Sequence, residues 1–598
     1  MIFLHFAMGI PSYFAHVLKK YPRVIKRLSE LPCINNLYLD CNGMVYDVVR
    51  QMQYTPENPA AYETEMLQRI CDSIDACIAI LRPTSSVFIA FDGVAPVAKL
   101  NQQRERRYKS WYLGEMEAQR RCDIATHNKN KKKGEKVPVV QPPKPAWNTS
   151  SITPGTKFMN ALHDKLAEYY GGDRAALNAR YNLSGGAGIM VSSSKEPGEG
   201  EHKLFEYIRE HAAEHANATT VIYGLDADLI MLCMSHLHIS RGIYLYRETP
   251  EFVKSINVAL DEKERYFMDI PEFADGILEN LRFPTPLPRG VPLGSGSGAV
   301  RKLGVWGATN APQLDYIFMC FMLGNDFMPH FPALNIRTTG IAALMEAYRI
   351  TIAPAETIIQ SDAQGEYSIH WPNYGKLIAH LASQELTMIR KEHTTRDRMS
   401  RHTREADNPD DVMHDVMMLP MKQRDVEREI NPFEDGWERR YYAALCDIHS
   451  DARAHDSVSA LCRNYLQGME WTFRYYTRGC ADWKWTYANH YPPLLADLTK
   501  HIPSTASFSF LQVKPKEPIR DLVQLCYVLP RASHALLPPS VERALMRSKL
   551  ASKYTDNGSH NFKWAYCKYF WECHTDLPAL DLRELDKIVD TGAGTPAI

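Results

Sequence analysis

The chain has 598 residues, room for two to four domains at one per ~150 residues, and its 45% apolar content can fill large cores, which excludes wholesale disorder. Lys and Arg number 69 against 70 Asp and Glu, a formal charge of −1, so any contact with nucleic acid rests on local patches rather than a basic coat. Thirteen cysteines with no CxxC pair argue against a secreted disulfide scaffold and a zinc knuckle, and the longest strongly apolar run, Ile317–Leu323, is far short of the ~20 residues of a membrane helix.

Met1–Ala7 is apolar but lacks the cationic start and the length of a signal peptide, so a soluble protein of a reducing compartment, cytoplasmic or nuclear, is expected. Short runs rich in β-branched or aromatic residues then alternate with stretches of helical spacing. "NLYLD" (Asn36–Asp40) reads as a strand, Tyr62–Leu81 as a helix and "VFIAFD" (Val87–Asp92) as a strand. Lys157–Tyr170 is a helix, Gly188–Ser194 a strand, Glu201–Glu214 a helix and "VIYGLDADL" (Val221–Leu229) a strand. That order predicts an α/β fold: βαβ units on a mostly parallel sheet flanked by helices.

Three stretches break the pattern and read as loops or linkers. Lys129–Pro154 is basic and then Pro-rich, Phe283–Pro312 carries Pro, Gly and Ser, and Lys391–Gly436 is highly charged with little apolar periodicity. They suggest a front domain over residues 1–350, a charged connecting segment over 351–435 and a second region over 436–598. The last is unusually aromatic, above all between Trp471 and Pro493, and is expected to be mainly helical and packed on the first.

The main chemical signal is where the carboxylates fall. Asp40 and Asp92 each end an apolar strand. Asp226 and Asp228 lie two apart at another strand end, a spacing that in extended chain puts both on one face. Glu199 and Glu201 lie two apart in a Gly-rich turn opening a helix, and Asp326 follows an apolar run. Taken singly, such residues are ordinary turn formers, N-caps or first-turn acids. Gathered at the carboxyl edge of a parallel sheet, seven carboxylates repel one another unless cations intervene. Two Mg²⁺ ions on hard oxygen ligands are the usual remedy, and the usual device for phosphodiester cleavage.

Beyond Asp92, Lys99, Gln103, Arg106 and Arg107 fall at i, i+4, i+7 and i+8, one arc of a helix. Lys99–Lys136 holds 12 Lys and Arg against 5 Asp and Glu, so this window is a patch able to grip phosphate. The run Lys129–Lys136 itself reads as a solvated stretch. Most rings of the aromatic segment should be plain core, with one or a few left to stack on bases.

Several strings resemble a known family. "MGIPSYF" (Met8–Phe14), "NLYLDCNG", "FDGVAPVAKLNQQRERR", "SITPGTKFM", "EPGEGEHK", "YGLDADLIML" and "MLGNDFMP" are similar to the N-terminal conserved region of the XRN family of 5′→3′ exoribonucleases. Asn464–Leu498 is similar to that family's second conserved region. The resemblance implies a PIN/flap-nuclease-like fold and processive, Mg²⁺- or Mn²⁺-dependent hydrolysis of single-stranded RNA with a 5′-monophosphate to nucleoside 5′-monophosphates. It implies that Asp40, Asp92, Glu199, Glu201, Asp226, Asp228 and Asp326 form the acidic metal site. Lys99, Gln103, Arg106 and Arg107 then form a 5′-phosphate pocket too small for a capped or triphosphorylated end. Trp485, rather than Trp483, stacks on the terminal base. Tyr46 stands on the other side of that base, where the family commonly has His, and keeps a stacking ring without an imidazole's charge. Seven residues precede Met8, where family chains typically begin, so either Met8 is the start or the extension sits near the substrate channel. An RNA-binding scaffold without turnover and a flap-type DNA nuclease sharing the acidic core are the rival readings.

Overall fold

The structure, a computed structural model, describes residues 13–129, 146–247, 264–282, 312–353, 356–362, 365–403, 412–450, 452–506, 508–511, 517–554 and 562–593. Met8–Ser12, the basic run after Lys129 and the 283–311 stretch lie outside them.

One seven-stranded sheet organises the front of the molecule. Its strands are β1 (Ile25–Arg27), β2 (Asn36–Asp40), β3 (Ser86–Ala90), β4 (Gly188–Ser192), β5 (Thr219–Tyr223), β6 (Gly242–Tyr246) and β7 (Tyr266–Asp269), in the spatial order β1-β7-β6-β5-β2-β3-β4. The five from β6 to β4 are parallel, while β7 and β1 extend the sheet antiparallel. The expected α/β class with a mostly parallel sheet is what forms. Side chains alternate between faces: Tyr38, Phe88 and Ile222 enter one core, and Leu37, Leu39, Val87, Ile89, Val221 and Tyr223 the other. Helices cover both faces, which is why the strands read as continuous apolar runs.

Local chemistry sets the helix starts. Helix α1 (Asn42–Gln51) follows β2 after a single residue. Helix α2 (Pro59–Leu81) is capped by Asn58, whose side chain accepts from Ala61 N–H at 3.2 Å, with Pro at its first position. Helix α3 (Val97–Lys129) carries the basic arc. Helix α4 (Lys157–Tyr170) starts where Thr156 accepts from Met159 N–H. Helix α5 (Gly200–Glu210) packs on β2 and β3, and helix α6 (Asp228–Ser235) follows β5.

The second region is mainly helical and aromatic-rich, as expected. It also takes in the expected connecting segment of residues 351–435, and its longest helices are α7 (Trp371–Arg401), in that segment, and α8 (Ala454–Arg478). Helix α8 buries Leu461, Tyr465, Leu466, Met469, Trp471, Tyr475 and Tyr476, and packs against α5 and α6. That packing carries the aromatic segment to the edge where β2, β3 and β5 end.

Two sequence expectations are corrected here. Lys391–Gly436 is no linker: its first part completes α7, and Val412–Met417, Leu419–Lys422 and Asp425–Ile430 are short helices. A few of its charges are buried against one another. Glu427, 1% exposed, accepts from Arg396 Nη2 and Arg424 Nε at 2.6 Å each, and Arg424 Nη1 reaches Asp397 at 2.6 Å. Ion pairs do here what apolar periodicity does elsewhere, so the usual signal is missing. The strand taken to run to Leu229 also closes at Tyr223, and Asp228 opens α6 instead.

Candidate active site

The carboxyl ends of β2, β3 and β5 place Asp40, Asp92 and Asp226 at one edge of the sheet. The start of α5 closes on them. Gly200 N–H donates to Asp92 Oδ1 at 2.7 Å, and a Cβ at Gly200 would lie 2.7 Å from Asp40 Oδ1, so only glycine fits between the two acids. Glu199 is the residue before α5 and Glu201 lies in its first turn. Asp226 and Asp228 do not share the face of a strand. Asp226 stands in the loop after β5 and its Oδ1 accepts from Asp228 N–H at 3.2 Å. A turn, not an extended pleat, brings the pair together.

Lys99 joins the set. Its Nζ lies 2.5 Å from both Glu199 Oε2 and Asp326 Oδ2, with all three side chains nearly out of solvent. The sequence grouped Lys99 with a phosphate pocket; the structure commits its ammonium to the acids. Burial would lower its pKa, but Asp326, Glu199, Glu201 and Asp226 raise it well above the ordinary lysine value. Six of the seven carboxylates named from the sequence thus feel one buried cation, and Asp92 joins them beside Asp40 and Glu199.

Other residues orient the acids, and sequence reasoning missed them. Tyr475 hydroxyl donates to Glu199 Oε1 at 2.8 Å, and Tyr476 hydroxyl bonds Asp228. Asn42 holds Asp92 through its side-chain amide, and Gln102 Nε2 donates to Asp326 Oδ1 at 3.1 Å. His202 stacks on Tyr475 with centroids 3.7 Å apart, and burial keeps this imidazole neutral. The only hint was the polar rim of the "WTFRYYTR" stripe, since two adjacent tyrosines on a buried helix need partners for their hydroxyls.

The electrostatics match the crowding. Burial, then Asp92 and Asp226, push Asp40 well above the carboxylate range. Burial and then Asp226 do the same to Glu201 and Asp228, and burial with Asp326 holds Asp226 up to about 6. Asp40 Oδ1, Glu201 Oε2 and Asp228 Oδ1 are buried without a hydrogen-bond partner among the described residues. Buried carboxyl oxygens without partners call for a cation, and hard carboxylate oxygens suit Mg²⁺ or Mn²⁺. The residues therefore fit the metal that the sequence implied.

A stability test follows from the raised values. Folded Asp226 binds its proton more tightly than the unfolded chain does. Its favourable contribution is complete below the ordinary carboxylate pKa and is lost as pH rises through about 6. In EDTA at about pH 7.5, Asp226→Asn should stabilise the protein by on the order of 1–3 kcal/mol, a gain that shrinks towards about pH 5. Thermal melts of both proteins at the two pH values check this; an equal gain at both contradicts the repulsion.

The basic arc of α3 divides. Gln103 Oε1 accepts from Arg107 Nη1 at 3.2 Å, and Arg107 Nη2 donates to Thr153 Oγ1 at 2.8 Å. Burial lowers the Arg107 pKa to about 10, partly offset by the nearby phenol of Tyr46 on α1. Arg106 instead lines a cavity of about 670 Å³ that reaches Asp326. Trp485, expected to stack on a base, is 6% exposed, covered on one face by Trp471 at 4.9 Å and tied through its indole N–H to Gln467. It is a core ring with no open face. Trp483 is only half-buried, and its carbonyl accepts from Val97 N–H at the start of α3.

Comparison with known proteins assigns the chain. A family model described as the XRN 5′-3′ exonuclease N-terminus matches residues 8–249, and one described as the Xrn1 helical domain matches residues 314–431 and 417–591. The chain belongs to the XRN 5′-3′ exonuclease family. The first match takes in the sheet from β1 to β6, and the second takes in α7 and α8. The chain is 27% identical over 672 residues to the "5′-3′ exoribonuclease 2 homolog" of Drosophila melanogaster, covering 97% of this chain and 70% of that protein. It is 26% identical to "5′-3′ exoribonuclease 2" of Gallus gallus, over 97% of this chain and 69% of the relative. The Caenorhabditis elegans homolog of that name is also 26% identical, over 96% and 70%. No described helix is long and apolar enough to cross a membrane.

Proposed function

We propose that this XRN enzyme processively hydrolyses single-stranded RNA carrying a 5′-monophosphate, releasing nucleoside 5′-monophosphates in RNA decay or processing. Family membership gives the activity class, a 5′→3′ exoribonuclease; the reading adds the end chemistry and the metal. The observation that carries it is the gathering of seven carboxylates beside the basic face of α3.

Asp40, Glu201 and Asp228, with their unpaired oxygens, are the foremost holders of two Mg²⁺ or Mn²⁺ ions, and Asp92, Glu199, Asp226 and Asp326 complete the set. Such a pair supplies an activated water and a counter-charge for the leaving oxygen. Tyr475 and Tyr476 keep Glu199 and Asp228 aimed, and Lys99 offsets their charge. Gln103 and Arg107, with their donors set by Thr153 and by each other, hold the 5′-phosphate, and Arg106 steers the strand along the cavity it lines. Tyr46, beside Arg107, stacks on the terminal base. We assign the opposite face to Trp483, since Trp485 is buried. Holding the 5′-phosphate at a fixed reach from the acids sets the cut one nucleotide in.

The test compares RNA ending in 5′-monophosphate, 5′-hydroxyl and 5′-triphosphate, with Mg²⁺ and with EDTA, and follows product length. The expected result is mononucleotide release from the monophosphate alone and only with the metal. Equal digestion of all three ends, or a preference for DNA flaps, overturns the reading. Complete protection of RNA in Mg²⁺ favours a scaffold without turnover.

A further inference from the structure

A second cluster of metal-ligand type lies outside the carboxylate site. Glu105 stands on α3, six residues past Lys99 and so about 9 Å further along the helix axis. His490 follows α8 and His574 sits in the two-residue strand His574–Thr575. One ligand atom from each lies within 4.8 Å of the others. The two imidazoles stack with centroids 5.1 Å apart and an interplanar angle of 24°. His490 Nδ1 is 3.7 Å from Glu105 Oε1, while His490 Nε2 is 3.0 Å from Asp576 Oδ1.

We propose that Glu105, His490 and His574 form a site for Zn²⁺ or a similar borderline transition cation, distinct from the hard-oxygen centre. Three features carry this. The donors are two imidazoles and one carboxylate, a set that suits zinc and resembles no magnesium site. Asp576 accepts the Nε2 proton of His490, which fixes the tautomer and turns the Nδ1 lone pair towards Glu105; this is the carboxylate–histidine arrangement that orients metal ligands. All three donors line the 670 Å³ cavity, which leaves a fourth position open to water. Zinc bonds of about 2.0–2.2 Å separate tetrahedral ligands by about 3.4 Å, close to the Glu105–His490 spacing already present.

The site joins elements far apart in sequence: α3, the loop after α8 and the 574–575 strand. The 571–578 segment already crosses α3 here. Lys109 Nζ donates to the carbonyls of Trp571 and Cys573, and Arg104 Nη1 to that of Pro578. A bound ion ties that crossing to His490 and so stiffens the wall of the cavity next to Asp326.

The test uses the full chain, stripped in EDTA, returned to Mg²⁺ in large excess so that the carboxylate centre is filled, and titrated calorimetrically with Zn²⁺. The expected result is one tight equivalent of Zn²⁺, weakened at least about tenfold by Glu105→Gln and about 10- to 100-fold by Asp576→Asn, which acts on the site through the proton on His490 and otherwise loosens only the ion pair with Lys563. Both replacements keep size and packing, and circular dichroism verifies the fold. Asp226→Asn, in the other centre, should retain the Zn²⁺ site. Absence of a tight equivalent in the wild type, or affinities unchanged in both Glu105→Gln and Asp576→Asn, overturns the proposal.

Discussion

Asp226→Ala should bind 5′-monophosphorylated RNA and cut it at least ~10³-fold more slowly, a loss of about 4 kcal/mol in transition-state stabilisation. Asp226 sits among Asp40, Glu201, Asp228, Asp326 and Lys99, and each feels its charge. Deleting it removes a proposed metal ligand and relieves repulsion at once, so the fold should survive while the chemistry does not. The 5′-phosphate contacts proposed for Gln103 and Arg107 lie on α3 and are untouched. Single-turnover cleavage and filter binding on one labelled RNA separate the two effects. Hydrolysis at the normal rate would remove the metal assignment.

Glu427→Ala should destabilise the second region by about 3–5 kcal/mol, the largest single stability effect expected in the chain. Glu427 is the shared anion of Arg396 and Arg424, both almost wholly buried, and it also accepts from Tyr566 N–H at 2.8 Å. Without it two guanidiniums remain in the interior, with Asp397, Glu392 and backbone carbonyls left beside them among the described residues. Replacing all three members with apolar side chains of similar volume should recover much of the loss, because the charges and their desolvation leave together. Urea denaturation of the single and triple variants measures both; a single variant within 1 kcal/mol of wild type would mean that water reaches the network.

What was legible in the sequence follows from which forces act locally. The parallel strands showed because each is buried on both faces, and α4 was marked by its helical period. The seven carboxylates showed because acids at strand ends are conspicuous in apolar surroundings. Their pairing geometry did not show: Asp226 and Asp228 meet through a turn, which spacing alone cannot distinguish from a pleat. Lys99 was read as part of a phosphate face because helical periodicity gives an arc but not which neighbour claims each side chain. Trp485 and Trp483 differ by two positions and look alike as letters; only tertiary packing buries one against Trp471. The Arg396–Glu427–Arg424 core was hidden for the opposite reason, since its residues look like surface. Glu105, His490 and His574, spread over more than half the chain, left no local trace.

Lys99 has a bearing on the history of each molecule. An acidic centre of this density is a hazard while the chain is being synthesised, before it has met any free magnesium. A lysine threaded into its midst offsets part of that charge, so the sheet and α8 can close around the acids with no other cation in place.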